Sequence, residues 1–195
     1  MFLGSGFLKI ILASASDRRK ELLSRLVDDF SIMVSDFDED KVKFQGDISS
    51  YVEEIALGKA LDIKNKVHND AVIIAADTIV TLENEILGKP KDEEDAFNML
   101  KRLSGRTHKV YSGLVVINTS TNRIIKTSKA TEVKFSKLTD SEIKDYIKTG
   151  EPLDKAGSYG IQGKGGVFVE EIRGCYYNVV GLPLNELNNI LKELI

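Results

Sequence analysis

Cysteine and histidine are scarce in this sequence, and their scarcity removes several chemistries. Cys175 is the only cysteine, so no intramolecular disulfide can form and no second thiolate is available for a zinc cluster. His68 and His108 are the only histidines, which argues against both a zinc site and a charge-relay triad. Both absences fit a reducing cytosol, so a cytoplasmic location is expected. Basic charge is lacking too. The 27 Lys and Arg residues stand against 30 Asp and Glu, a net charge of -3. No general basic field attracts nucleic acid, and any phosphate site must be built from local cations. No apolar run approaches membrane-spanning length, so neither nucleic acid nor membrane is an expected partner. Residues 7–13 are apolar and Ala13-Ser14-Ala15 resembles a signal-peptidase site, but no basic segment precedes them and Lys9 interrupts the run. They read as a buried strand. No Pro- or Ser-rich linker, repeat or low-complexity stretch divides the chain.

What is present is an ordinary globular composition, 42% apolar and 29% charged, in which strands and helices alternate before long strands pair. Strands are expected over 7–13, 31–34 and 71–76, the last ended by Asp77. A hairpin over 78–87 turns at Glu83-Asn84. Long strands follow over 110–118 and 123–135, then shorter ones over 167–172 and 177–180. Helices are expected over about 17–27, from near Ser50, from Asp92 to Gly105, from Thr139 to Gly150, and from Pro183. Ser50 with Glu53, and Thr139 with Glu142, have capping-box spacing. The fold class is mixed α/β: a two-lobed single domain over residues 7–195 with a mixed twisted sheet, flanking helices and a central cleft. Residues 1–6 form an N-terminal extension without an assigned role.

Four segments carry chemistry. In Ser14-Ala15-Ser16-Asp17-Arg18-Arg19-Lys20 a buried strand turns into a helix, and Ser16 or Asp17 can cap it. Three cations in a first helical turn oppose the helix dipole by about 0.3–1 kcal/mol each. A bound anion reverses the sign of that term, so strand, polar turn and arginines together describe a phosphate site. In Ala75-Ala76-Asp77-Thr78 a carboxylate follows six apolar residues. Burying it unpaired costs several kcal/mol, so it needs a cation, a metal or strong donors. In Gly88-Lys89-Pro90 the lysine is bracketed by two residues that fix its backbone, and it can reach a phosphate, as can Lys59 beside Gly58. The acidic run 36–40 can supply one carboxylate, Asp38 or Glu39, to a Mg²⁺ that is otherwise held by substrate phosphates. In the segment from Asp154 to Gly163, glycines allow a backbone to approach a ligand closely, and Gln162 offers a donor and an acceptor suited to a nucleobase edge.

With Leu103-Ser104-Gly105-Arg106-Thr107-His108 and Asn178-Val179-Val180-Gly181-Leu182-Pro183, these segments resemble the Maf family of nucleotide pyrophosphatases, from about Leu8 to Leu191. The resemblance implies a mixed α/β fold with a cleft between two lobes, a cytoplasmic location, and an activity dependent on a divalent metal, Mg²⁺ or Mn²⁺. It also suggests a homodimer. By similarity Asp77 is the proton acceptor; as the mechanism expected here, the metal bridges the triphosphate and a carboxylate, with Asp38, Glu39 and Asp77 as the candidate contacts. Arg18, Lys59 and Lys89 fall on phosphate-binding positions, with Arg19 adjacent. Ser14 and Ser16 match small polar positions. Asp17, Thr78 and Gln162 fall on positions tied to base choice, and Thr78 with Gln162 looks like the branch that prefers dTTP and UTP over the one acting on 7-methyl-GTP. One departure is Asp17, where the family usually has proline; aspartate is acceptable there on dipole grounds, but it adds a carboxylate beside the phosphate site. Two other readings stand beside the enzyme: a nucleotide-binding regulator of cell division, and a cleanup enzyme for 7-methyl-GTP or other non-standard nucleotides.

Overall fold

The computed structural model describes residues 8–194. The expected extension over 1–6, the strand residue Phe7 and the terminal Ile195 lie outside the described residues. Strands β1 (Lys9–Leu12), β2 (Ser31–Ile32), β3 (Ala71–Leu82), β4 (Glu85–Leu87), β5 (Thr107–Asn118), β6 (Arg123–Phe135) and β7 (Val169–Arg173) form one seven-stranded sheet. Their order is β2-β1-β3-β5-β6-β7, with β4 on β3. β1 runs parallel to β2 and β3, pairing Ile11 with both Ser31 and Ile73, whereas β3–β4 and β6–β7 are antiparallel. The helices are α1 (Asp17–Leu23), α2 (Ile48–Lys66), α3 (Glu93–Leu103), α4 (Asp140–Ile147), α5 (Tyr176–Val180) and α6 (Leu184–Leu194). The class is mixed α/β, as the element pattern implies. No helix among the described residues is long and apolar enough to cross a membrane.

The chain divides into two compact units. The first contains the chain up to Asp77, Ser112–Lys129 and the chain from Gly181. Its core follows from two periodicities. Ala71, Ile73 and Ala75 alternate on β3, and Ala56, Ala60 and Ile63 form a stripe on α2; the two sets pack together with Ile11, Val115 and Ile117. Each fully buried Ile or Val in such a core contributes about 1.5–3 kcal/mol. The packing is close enough that a Cβ on Gly113 of β5 would overlap the Val52 carbonyl of α2.

The second unit contains Thr78–Tyr111 and Ala130–Val180. Leu100 and Leu103 of α3, Ile143 of α4, and Val80, Val133 and Phe135 from the strands meet in its core. Phe135 makes edge-to-face contacts with His108, Tyr159 and Phe168 at 4.9, 4.7 and 6.0 Å. Asp92 caps α3 through the Asp95 N–H at 2.8 Å, and Gly105 follows that helix at φ 68°. Thr139 and Glu142 form the reciprocal cap of α4. Glu83 and Asn84, at φ 52° and 68°, make the two-residue turn of the β3–β4 hairpin.

Four expectations are corrected. α2 begins at Ile48, because Asp47 accepts the Ser50 N–H at 2.9 Å and leaves Ser50 inside the first turn. α1 ends at Leu23 and not near Val27. β3 does not end at Asp77; it stays almost wholly buried and continues to pair with β4, so Asp77 is a mid-strand residue. Residues 176–180 are helical, although Val179 and Val180 favour strands. Their backbone bonds within the helix, the Val179 N–H donating to the Cys175 carbonyl at 3.3 Å, while the Asn178 amide donates to the Val110 carbonyl and to Thr131 Oγ1, both at 3.0 Å.

Candidate active site

Asp77 continues the alternation of Ala71, Ile73 and Ala75 on β3, the face that packs against α2. Helix α2 answers it with Lys59, whose neighbour Ala60 belongs to the same core. Lys59 Nζ donates to Asp77 Oδ1 at 2.7 Å, with only 14% and 10% of the two side chains exposed. A carboxylate this buried requires a partner, and this lysine is it. Lys59 Nζ also meets Glu39 Oε1 at 2.8 Å. One ammonium is therefore shared by two carboxylates. Glu39 stands in a single 3₁₀ turn, Glu39–Lys41, which Asp38 caps by accepting the Asp40 N–H at 3.2 Å. Of the two acids expected from this run, Glu39 is the one that reaches Asp77's partner.

Arg19 joins the same neighbourhood. Ser16 caps α1 by accepting the Arg19 N–H at 3.4 Å, so Arg19 leaves the first turn in a fixed direction. Its Nε donates to the Gly181 carbonyl at 2.9 Å and its Nη1 to Ser14 Oγ at 3.4 Å. Ser14, itself buried, also accepts the Ser16 N–H at 3.2 Å. Burial lowers the Arg19 pKa, and Arg18 acts in the same direction; the carboxylates of Asp77 and Glu39 oppose them. Arg19 remains a cation. Two of its bonds go to neutral acceptors, inside the field of two acids. Arg18 is half-buried beside it, and Asp17 is exposed at the first helical position with no salt bridge among the described residues.

The first unit thus unites Ser14, Ser16, Arg18, Arg19, Lys59, Asp77 and Glu39. Thr78, Lys89 and Gln162 belong to the second unit. Thr78 is the residue after Asp77 on β3 and has the parity of Val80 and Leu82, which enter the second core. Lys89 and Gln162 are exposed. Their loops adjoin, since the Gly157 N–H donates to the Gly88 carbonyl at 3.1 Å.

Glycines of the glycine-rich segment make room for the protein's own side chains. A Cβ on Gly157 would come within 2.9 Å of Val80, one on Gly163 would overlap the Glu151 carboxylate, and one on Gly165 would lie 2.6 Å from the Tyr146 hydroxyl. Glu151 is the centre of this arrangement. It accepts from the Tyr146 hydroxyl at 2.8 Å, the Lys164 N–H at 3.0 Å and the Gly165 N–H at 3.2 Å. Burial acts to raise the Glu151 pKa, but these donors and Lys155 outweigh it and the net shift is downward. Gln162 is carried on a loop closed around a carboxylate.

Sequence reasoning missed Glu151, the Gly181 carbonyl and Tyr51. The Tyr51 hydroxyl pKa is raised by burial first, and then by the carboxylates of Asp77, Glu39 and Asp40, which places Tyr51 in the same field. Its signal was its position on α2, eight residues, or about two turns, before Lys59. Among the described residues no group of three His, Cys, Asp or Glu side chains converges to hold a metal ion.

The profile of the family described as Maf-like protein matches residues 9–194. The chain is 71% identical over 188 residues to a dTTP/UTP pyrophosphatase of Clostridium botulinum, covering 96% of this chain and 100% of the relative. It is 67% identical over 187 residues to a dTTP/UTP pyrophosphatase of Clostridium beijerinckii, again covering 96% and 100%. Among solved structures, a HAM1 protein from Coxiella burnetii shares the fold, with a TM-score of 0.52 at 16% identity over 96% of this chain and 100% of that one.

Proposed function

The chain belongs to the Maf-like protein family, and from that premise we propose that it hydrolyses dTTP and UTP to the monophosphate and pyrophosphate. The observation that carries the proposal is the buried Asp77 sharing Lys59 with Glu39 inside the field of Arg19. A non-catalytic nucleotide binder needs the cations but not a carboxylate buried among them. The relatives that are dTTP/UTP pyrophosphatases support the choice of substrate.

In the proposed reaction, Asp77 accepts a proton from water as it attacks the α-phosphorus. The α–β anhydride bond breaks, and its electron pair leaves on the bridging oxygen of pyrophosphate. Lys59, Arg18 and Arg19 neutralise the charge that develops there, and Lys89 is assigned to the phosphates on the family resemblance. Lys59 is already poised between two anions, so a triphosphate can draw its ammonium away and release the Asp77 carboxylate. Ser14 and Ser16 act on the geometry, Ser14 by bonding Arg19 and Ser16 by capping α1. Thr78, Gln162 and Asp17 are assigned to base choice on the family resemblance. Two carboxylates converging on one cation are also the donors a Mg²⁺ or Mn²⁺ takes, so Glu39 and Asp77 would hold it, with substrate oxygens and water completing its shell. When bound it would supply charge neutralisation and polarisation of the phosphoryl oxygens. The reading carries with it a cytoplasmic location, which the single cysteine favours, and a homodimer, which the family resemblance suggests.

The test is pyrophosphate release from dTTP, UTP, CTP, 7-methyl-GTP, GTP and ATP, each with Mg²⁺ and with chelator. Release greatest with dTTP or UTP is expected, abolished by chelator. Asp77→Asn is expected to lower kcat by about 10²–10⁴-fold, the range of a lost general base. Greatest release from 7-methyl-GTP would overturn the base assignment, and nucleotide binding without release would favour the regulator.

A further inference from the structure

Glu39 stands where it does for a reason its own ion pair does not supply. Its side chain is 54% exposed in the pair with Lys59, and so exposed a pair contributes too little to hold a loop. The segment before it is fastened to α2 at successive levels. Toward the helix C-terminus, Asp62 Oδ2 accepts from Ser35 Oγ at 2.9 Å and from the Asp36 N–H at 2.8 Å. Lys66 Nζ closes that end, bonding Asp62 at 2.8 Å and Asp36 at 2.7 Å. One turn back, the half-buried Phe37 ring lies over Gly58, so close that an added Cβ would overlap its ring carbons. Lys59 is the next residue on the helix, and Glu39 is the second residue after Phe37. A ring placed at Gly58 therefore delivers the carboxylate to Lys59. Glycine inside a 19-residue helix is unfavourable on propensity alone. The space it leaves for Phe37 accounts for its presence.

We infer that Phe37 is a positioning residue: its ring, lodged over Gly58, holds Glu39 at the Lys59–Asp77 pair for hydrolysis. The catalytic half rests on the pyrophosphatase reading above, while the positioning half rests on the contacts alone. Phe37 touches no reacting atom. It acts through Glu39, so its effect must vanish once Glu39 can no longer act.

The experiment compares Phe37→Ala, Gly58→Ala, Glu39→Gln and the pairwise combinations, each checked for native folding by circular dichroism. Pyrophosphate release from dTTP and hydrogen exchange of the amides of residues 37–41 are read in parallel. Phe37→Ala and Gly58→Ala are each expected to lower kcat about tenfold, the cost of a modest misplacement of an acting group. Alanine is the better helix former, so a loss in Gly58→Ala cannot come from a weakened α2. Adding Phe37→Ala to Glu39→Gln is expected to cost nothing further, as is adding Gly58→Ala to Phe37→Ala. Exchange over 37–41 is expected to quicken in both single variants. Full kcat in Phe37→Ala, or an additive loss with Glu39→Gln, would overturn the inference. If wild-type protein releases no pyrophosphate, the pyrophosphatase reading falls, and exchange still decides the positioning: quickened exchange upholds it and unchanged exchange overturns it.

Discussion

Lowering the pH should destabilise this fold through one buried histidine, by an amount the structure sets. His108 is 1% exposed, packed edge-on against Phe135 and Tyr159. Its Nε2 lies 2.8 Å from the Tyr159 hydroxyl, and its Nδ1 has no hydrogen-bond partner among the described residues. Nothing there stabilises a second proton, and burial pushes the imidazole down to about 4. The unfolded chain takes up that proton near the ordinary value of about 6.5. The folded state therefore binds fewer protons between these values, and stability falls as the pH is lowered. The contribution is complete above about pH 6.5 and is lost as pH falls toward 4. The gap of roughly 2.5 units corresponds to about 3 kcal/mol, most of it gone by about pH 4.5. That is a large share of the roughly 5–15 kcal/mol that holds a domain folded. The assay is guanidinium unfolding of wild type and His108→Phe at pH 7.5 and 4.5. Phenylalanine keeps an aromatic ring in the cluster but cannot titrate, and carboxylate effects common to both proteins cancel. Wild type should lose about 2–3 kcal/mol more than the variant over this interval. Parallel losses would show that His108 does not control the acid response.

Two further substitutions test the framework around the candidate site. Glu151→Ala leaves the Tyr146 hydroxyl and the Lys164 and Gly165 N–H groups without their acceptor, and should destabilise by about 2 kcal/mol or more while quickening exchange over residues 160–166; an unchanged melting temperature would refute the clamp. Gly113→Ala drives a methyl group into the Val52 carbonyl and should cost about 1–3 kcal/mol in urea unfolding, whereas a neutral result would mean that α2 can withdraw from β5.

Local signals were legible wherever a local rule set the outcome. The Thr139–Glu142 box, the Asp92 cap and the Glu83-Asn84 turn all depend on atoms within four residues of one another, and each forms as its spacing implies. Asp47 and Ser50 offer competing local caps three residues apart, and Asp47 takes the α2 cap by accepting the Ser50 N–H. Residues governed by distant partners were not legible. Asp77 looked like a strand end because a charge interrupts an apolar run, and Lys59, 18 residues earlier, lets that charge stay inside. The strand-like stretch around Asn178 is helical, and its amide is fixed by atoms 68 and 47 residues away. At the candidate site the motifs nominated Arg19, Lys59 and Asp77, and these do come together. Glu151 carried no such sign, because its meaning lies in the glycines that close around it.

The bond from Arg19 to the Gly181 carbonyl joins residues 162 positions apart. It gives the protein a schedule as well as a shape. A ribosome adding about 5–20 residues per second exposes the arginine many seconds before it releases the carbonyl that fixes it. During that interval the nascent chain carries cations, serines and Asp77 without the strap that orients the guanidinium. The first unit is closed by a segment made long after α1, so the arginine is strapped only once Gly181 has emerged.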